Sequence, residues 1–177
     1  MKRKSLSVTK KTLNFYLTKL KDPQVRKLYS LFSNNLASMD LTNKKIMVGV
    51  SGGADSLAVL FFSQCYALKH HTKLYPVIID HKLRKESTIE AKNLKYKLKQ
   101  NFKINCKILS KKIVKINKNI QSYARDLRYD LFFEECNKQK IDYLILGHHK
   151  DDLIENFFIR FLLSLIHISE PTRRPKI

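Results

Sequence analysis

The stretch KIMVGVSGGADSLAV, residues 45–59, decides the fold of this chain. Its apolar, β-branched run from Ile46 to Val50 predicts a buried strand, and an apolar helical pattern begins at Asp55 after a Ser-Gly-Gly turn. Where a strand passes through a tight turn into a helix, free backbone N–H groups point outward and the helix dipole favours negative charge. The stretch therefore predicts an anion site, although an ordinary βα turn with a capped helix is the alternative.

The turn itself offers several groups to a ligand. Gly52 and Gly53 lack Cβ, so the backbone can approach a ligand closely or adopt positive φ. Ser51 and Ser56 add hydroxyl donors, and Asp55 can hold a cation or cap the helix. Because no lysine follows as in G-x-x-x-x-G-K-[ST], the turn is not a Walker loop.

Strands and helices alternate along the rest of the chain. Further strands are predicted at 74–80, 104–109 and 141–146, and the helices between them at 87–100 and 119–139, with a last one from about Asp151. This order predicts an α/β fold with a parallel, doubly wound, Rossmann-like sheet. Ligands of such sheets bind at the carboxyl edge, where residues 51–56, 80–81 and 147–152 would meet.

Polar motifs follow two of these strands. Asp80-His81-Lys82-Leu83-Arg84 offers a metal ligand, a proton shuttle and a phosphate clamp, or only a solvated loop. Residues 147–155, GHHKDDLIE, favour a carboxylate partner for Mg²⁺ over a zinc site, or a helix N-terminus capped by its own acidic turn. Arg125 and Arg128 share one helix face that could grip a phosphate or a nucleobase, or simply be solvated.

Length and composition are those of one globular domain. The chain has 177 residues, of which 44% are hydrophobic and 28% charged. No run approaches the roughly 18–20 apolar residues of a membrane span, and no signal peptide is apparent, so we expect a cytoplasmic protein with no membrane partner. Cys65, Cys106 and Cys136 are widely separated, which favours packed, reduced thiols over a metal or dithiol site.

The formal net charge is +20. Such an excess suits a polyanion such as RNA, but abundant Lys, Asn and Ile would also result from an AT-biased genome. The charge alone therefore does not decide between these explanations.

The motif SGGADS resembles the SGGxDS loop of the PP-loop ATP pyrophosphatases, which cleave ATP between its α and β phosphates and place AMP on a substrate oxygen. Together with D-H-x-L-R at 80–84, A-R-x-x-R-Y at 124–129 and G-H-H-x-D-D-x-x-E at 147–155, it resembles the catalytic domain of the bacterial tRNA(Ile)-lysidine synthetases over about residues 45–162. Four ordered motifs are far more specific than one.

The resemblance implies a ligase that adenylates the anticodon wobble cytidine of tRNA(Ile) and then joins free L-lysine to its C2 position. Its partners would be tRNA(Ile) and lysine, with homodimerisation left open. Catalysis would involve Asp55, Arg125, Arg128, His148 and His149. ATP would contact Ser51, Gly52, Gly53, Ala54, Asp55, Ser56, Asp80 and His81. Mg²⁺ would be held by Asp55 and Asp152.

Three segments are expected: a basic helical segment at 1–44, the ATP-binding catalytic domain at 45–162, and a tail at 163–177. Asp22-Pro23 predicts the N-cap and first turn of a helix in the first segment, whereas residues 1–20 fit either a short amphipathic helix or a frayed arm. The tail, LSLIHISEPTRRPKI, matches a translated sequencing adaptor, so we expect it to be non-native on a gene cut short, with a genuine divergent C-terminus as the alternative. Without its three basic residues and one Glu, the net charge would be +18.

Two rival functions remain. One is another PP-loop enzyme, either an amide-forming ligase or a tRNA thiolase, though a thiolase usually needs cysteines at its site. The other is a non-catalytic module that binds RNA or nucleotide.

Overall fold

The computed structural model describes residues 10–84, 86–111 and 120–147. Five helices and four strands lie in these ranges. The helices are α1 (Lys10–Lys19), α2 (Pro23–Ala37), α3 (Ala54–His70), α4 (Ser87–Asn101) and α5 (Ile120–Gln139). The strands are β1 (Lys45–Gly49), β2 (Lys73–Asp80), β3 (Lys107–Ser110) and β4 (Tyr143–Leu146). Within the same ranges, no helix is both long and apolar enough to cross a membrane.

The four strands form one parallel sheet in the order β3-β2-β1-β4. Chain order runs outward from β1 through β2 to β3, and the connection through α5 then returns to the other side of β1. The strand order therefore reverses between β1 and β4, which is the topological switch point where ligands of such sheets bind. Residues 51–53 leave β1 directly at this point.

Side chains on β1 alternate between the two faces of the sheet. Ile46, Val48 and Val50 belong to a core shared with α1 to α4, whereas Met47 packs with Phe132 and Cys136 of α5. Because helices cover both faces, the sheet is doubly wound, and the predicted α/β class is confirmed.

The N-terminal helices pack on the same core as the sheet. Tyr16 of α1 is 1% exposed and its hydroxyl donates a hydrogen bond to the carbonyl of Phe102. The side chain of Asp22 accepts hydrogen bonds from the backbone N–H groups of Gln24 and Val25, at 2.9 and 3.1 Å. The predicted cap of α2 is therefore confirmed, and residues 10–19 are helical.

Two strands begin later than predicted. The predicted strand at 104–109 begins at Lys107, because the Ile104 N–H bonds to the carbonyl of Leu98 at the end of α4. The predicted strand at 141–146 begins at Tyr143, because the Ile141 N–H bonds to the carbonyl of Cys136 in α5. In both cases the first buried apolar residue lies at the end of the preceding helix and not in the strand. Hydrophobicity alone does not distinguish a buried residue at a helix end from one in a strand.

All three cysteines are packed in the core. Cys65, Cys106 and Cys136 are 3%, 1% and 4% exposed and form no disulfide. Burial raises the pKa of each thiol to about 12. The prediction of reduced, packed thiols fits this placement.

Candidate functional site

The loop between β1 and α3 is shaped by Gly52. Its φ of +94° lies in the region that L side chains rarely adopt, and a Cβ there would lie 3.2 Å from Leu94 of α4. Gly53 is different, because its φ of −70° is ordinary and a Cβ there would make only an ordinary contact, 3.7 Å from Ser51 Oγ. Residue 52 therefore has to be glycine because of its backbone conformation. At residue 53 the backbone conformation makes no such demand.

Ser56 holds the loop closed. Its side chain is buried, and its hydroxyl donates to the Gly53 carbonyl at 2.8 Å. The same oxygen accepts hydrogen bonds from the Gly52 N–H at 3.2 Å and the Ser51 hydroxyl at 3.1 Å. The Ser56 hydroxyl is therefore used within the turn. To an anion, Ser56 could offer only its backbone N–H.

The N-terminus of α3 suits an anion. Its N-cap is Gly53, which supplies no side-chain acceptor to the N–H groups of the first turn. These groups lie at the positive end of a helix of 17 residues. Asp55 lies in this first turn and is exposed, while Ala54 begins the helix.

Glycines let the neighbouring elements approach this loop. A Cβ on Gly49 would overlap Leu146 Cδ2 and lie 2.7 Å from Phe132 Cζ, so the glycine lets these side chains of β4 and α5 pack against the end of β1. Gly147, at the end of β4, packs against the backbone of Asp55 and Ser56 in the same way. The ends of β1 and β4 and the start of α3 therefore form one tightly packed junction.

A cavity of about 550 Å³, the edge cavity, opens beside this junction at the carboxyl edge of the sheet. The ends of β1, β2 and β4 line it together with Ser51 and Gly52 of the loop. Its charged or titratable lining residues are His81, Arg84, Glu90 and Arg128. Its volume falls within the range of small-molecule sites.

Asp80, the last residue of β2, is 3% exposed and turns away from solvent. Its carboxylate accepts hydrogen bonds from the Thr88 hydroxyl at 2.7 Å, the Ser87 hydroxyl at 3.0 Å and the Lys82 N–H at 3.0 Å. Burial alone would raise the pKa of Asp80, but these hydrogen bonds and the charge of Lys82 outweigh it and lower the pKa. Asp80 therefore carries its negative charge inside the protein.

His81 lines the edge cavity beside Arg128. Its Nδ1 is buried and has no hydrogen-bond partner within the described residues. Burial and the charge of Arg128 lower the pKa of His81, against the opposing charge of Asp80. The imidazole is therefore neutral at neutral pH and can accept a proton or a hydrogen bond.

Arg84, which the D-H-x-L-R motif offered as a phosphate clamp, lines the cavity, and so does Glu90, which was not predicted to belong to the site. Their side chains form an ion pair at 3.3 Å, and both are more than half exposed. The D-H-x-L-R motif indicated Arg84 from the sequence. Glu90, inside the polar helix α4, gives no comparable signal.

The structure separates the two predicted arginines. Arg128 lines the edge cavity, whereas Arg125 is exposed and its guanidinium lies 6.0 Å from the centre of the Tyr129 ring. Arg125 does not belong to the lining of that cavity. Only Arg128 is therefore brought together with the loop and His81.

His148, His149 and Asp152 lie outside the described residues. Among the residues that are described, no three His, Cys, Asp or Glu side chains converge as a metal-binding group. Asp55 is the predicted metal ligand whose position is known, at the start of α3.

Residues 20–166 match the family model of the PP-loop domain. The chain is 42% identical over 120 residues to a tRNA(Ile)-lysidine synthase of Orientia tsutsugamushi, which covers 68% of this chain and 27% of that protein. It is 34% identical over 139 residues to one of Rickettsia rickettsii and 35% identical over 137 residues to one of Rickettsia bellii. These matches cover 75% of this chain, but only 28% and 31% of the respective relatives.

The fold is also similar to that of a solved protein, the U34-tRNA thiolase NcsA from Methanococcus maripaludis. The TM-score is 0.57 at 22% sequence identity, over 71% of this chain and 48% of the thiolase chain. This likeness concerns the fold alone. The family match covers most of the chain and includes the loop, the sheet and the edge cavity, and so the chain belongs to the PP-loop domain family.

Proposed function

We propose that this chain is the ATP-binding part of a ligase that joins lysine to the C2 position of the wobble cytidine of tRNA(Ile) through an adenylated cytidine. The observation that carries the proposal is the Ser51–Ser56 loop, which opens at the topological switch point into a cavity lined by Arg128 and His81. The relatives named for this activity support the choice of substrate. Because the chain spans only 27–31% of their length, the whole activity belongs to the proposal.

ATP would place its phosphates at the start of α3. The backbone N–H groups of Gly53, Ala54, Asp55 and Ser56 lie at the positive end of the helix dipole, and the N-cap offers them no side-chain acceptor. Gly53 has no side chain, and the nearest atom to where a Cβ would lie is Ser51 Oγ at 3.7 Å, so a phosphate could approach the backbone there. Arg84 lines the edge cavity together with Ser51 and Gly52 of the loop and would add positive charge.

Asp55 fits the role of a Mg²⁺ ligand together with Asp152. Mg²⁺ is usually bound by one or two carboxylates plus substrate phosphates rather than by a cage of protein ligands. An exposed carboxylate in the first turn of α3, beside the proposed phosphate site, suits that pattern. When bound, the ion would neutralise phosphate charge during the transfer.

The proposed reaction has two steps. The C2 oxygen of the cytidine attacks the α-phosphorus of ATP, the bond to the β-phosphate oxygen breaks, and pyrophosphate leaves. The lysine amine then attacks C2, loses a proton, and AMP departs with the C2 oxygen. Catalysis in the first step is positioning and neutralisation of charge at the phosphoryl group.

Basic side chains would contact the tRNA and the adenylated cytidine. Arg125 and Arg128 would contact the cytidine and its phosphates, and His148 or His149 would stabilise the adenylate. A net charge of +20 favours an RNA partner, although phosphate attraction carries no sequence information. Cytoplasmic location and homodimerisation are further parts of the proposal.

The test is pyrophosphate release by a chimera in which the aligned 120 residues of this chain replace those of the Orientia relative, with each substrate omitted in turn. We expect release to require ATP and tRNA(Ile), and AMP release to require lysine as well. A thiolase would form its product without lysine and need a sulfur donor. A binding module would release no pyrophosphate under any combination, and either result would refute the proposal.

A further inference from the structure

We propose that Asp80 is a positioning residue and not a ligand contact: its buried carboxylate holds the turn between β2 and α4 so that His81 and Arg84 face the edge cavity. The inference deepens the proposed function and rests on it, since ATP is taken as the ligand of that cavity.

The carboxylate of Asp80 is already occupied on both oxygens. Oδ2 accepts the Thr88 hydroxyl at 2.7 Å, and Oδ1 accepts the Ser87 hydroxyl and the Lys82 N–H, each at 3.0 Å. With the side chain 3% exposed, no oxygen is presented to a ligand in the cavity. These hydrogen bonds join the end of β2 to the first turn of α4.

The turn needs this support because its backbone is unusual. Lys82 has a φ of +52°, in the left-handed region that residues with a side chain rarely adopt. The hydrogen bond from the Lys82 N–H to Asp80 Oδ1 spans two residues and stabilises that geometry. His81 lies between Asp80 and Lys82, so this hydrogen bond also fixes the orientation of the His81 backbone.

A second chain of contacts fixes Arg84. The Ser87 hydroxyl lies 3.0 Å from Asp80 Oδ1 and 2.9 Å from the carbonyl of Arg84, and the Ser87 N–H donates to the same carbonyl at 3.2 Å. Asp80 is thus connected through Ser87 to the backbone of Arg84. The side chain of Arg84 lies at the cavity, held by its ion pair with Glu90.

Thr88→Val removes one hydroxyl donor at nearly constant volume and is the main test. Thr72→Val is its matched control, because the buried Thr72 hydroxyl also donates one hydrogen bond, to the carbonyl of Leu41 at 2.9 Å. Thr72 precedes β2, at the opposite end of the strand from Asp80. Thr88→Ser keeps the hydroxyl and should restore the parent behaviour.

The measurements are the dissociation constant for ATP and the amide exchange rate of Lys82, both on the folded 177-residue chain. We expect Thr88→Val to weaken ATP binding about tenfold, as the loss of a hydrogen bond to a charged group would. Thr88→Ser and Thr72→Val should bind ATP like the parent. Parent-like affinity in Thr88→Val, or equal weakening in Thr72→Val, would overturn the inference.

Asp80→Asn tests the turn itself without relying on ATP. The amide of Lys82 should exchange at least about tenfold faster in this variant, because its charged acceptor is lost. Unchanged exchange would overturn the positioning role. If the parent does not bind ATP, the proposed function fails, and this exchange rate still decides whether Asp80 holds the turn.

Discussion

Gly147 lies so close to Ser56 that a Cβ atom at position 147 would fall 2.9 Å from both the backbone N and the Cα of Ser56. The contact joins the end of β4 to the first turn of α3, across the switch point of the sheet. Because the opposing atoms belong to the backbone, a side chain at 147 can be accommodated only if β4 or the loop moves.

Gly147→Ala should therefore lower the free energy of unfolding by about 1–3 kcal/mol, as overpacking does, and weaken ATP binding by displacing the loop. Chemical denaturation and nucleotide titration measure the two effects. Gly53→Ala is the control for stability, because φ is −70° there and the nearest heavy atom to a Cβ is Ser51 Oγ at 3.7 Å.

Gly53→Ala should change the free energy of unfolding by less than about 1 kcal/mol in either direction. It should still weaken ATP binding, because the methyl group would occupy the space proposed for a phosphate. Full ATP affinity in Gly53→Ala would show that the nucleotide does not approach the loop at this residue.

Asp55→Asn should abolish adenylation while leaving the fold intact. Asp55 is exposed in the first turn of α3, so its contribution to packing is small. Pyrophosphate release and the denaturation midpoint are to be measured on the same preparation. Full turnover by the variant, wherever the parent is active, would remove Asp55 from the mechanism.

Arg128→Ala and Arg125→Ala should both impair the reaction with tRNA more than ATP binding. The effect should be larger for Arg128, which lines the edge cavity, than for Arg125, which lies over the Tyr129 ring. Steady-state rates with varied tRNA, compared with ATP dissociation constants, separate the two contributions. An equal loss of ATP affinity would indicate that these side chains contact the nucleotide phosphates. An unchanged reaction with tRNA would indicate that they only form a solvated helix face.

The thiols should be nearly inert in the folded protein. Burial raises the pKa of Cys65, Cys106 and Cys136 to about 12, so at pH 8 a smaller fraction of each thiol is thiolate in the folded protein than in the unfolded chain. A thiol reagent should therefore react at least about a hundredfold more slowly with the native protein than in denaturant. These raised pKa values contribute stability that is complete below the ordinary value of 9.0 and is lost as pH rises towards 12. A rapidly labelled native thiol would contradict the packing described for it.

The architecture was predictable because strong local signals agreed with the global fold. The β-branched run at β1, the Ser-Gly-Gly turn and the alternation of strands and helices all indicate a parallel sheet with its site at the carboxyl edge. Strand starts were less predictable, since Ile104 and Ile141 are buried like strand residues but close the ends of helices.

Side-chain roles within the site were harder to predict. A carboxylate at a strand end suits a ligand contact as well as a structural hydrogen bond, and only the positions of Ser87 and Thr88 distinguish these roles for Asp80. The spacing of Arg125 and Arg128 placed them on one helix face but could not show that only Arg128 lines the edge cavity. Such distinctions depend on tertiary contacts that sequence spacing does not encode.

Lysine incorporation into purified tRNA(Ile) tests the central claim most directly. Because this chain spans 27% of the Orientia relative, the assay compares the chain alone with a chimera in which its aligned 120 residues replace those of the relative. We expect ATP-dependent incorporation by the chimera, its loss with Asp55→Asn, and little or none by the chain alone, whose binding of tRNA should be weak and salt-sensitive. A folded chimera that incorporates no lysine would contradict the proposed function, and equal rates from the chain alone would show that the rest of the relative is not required.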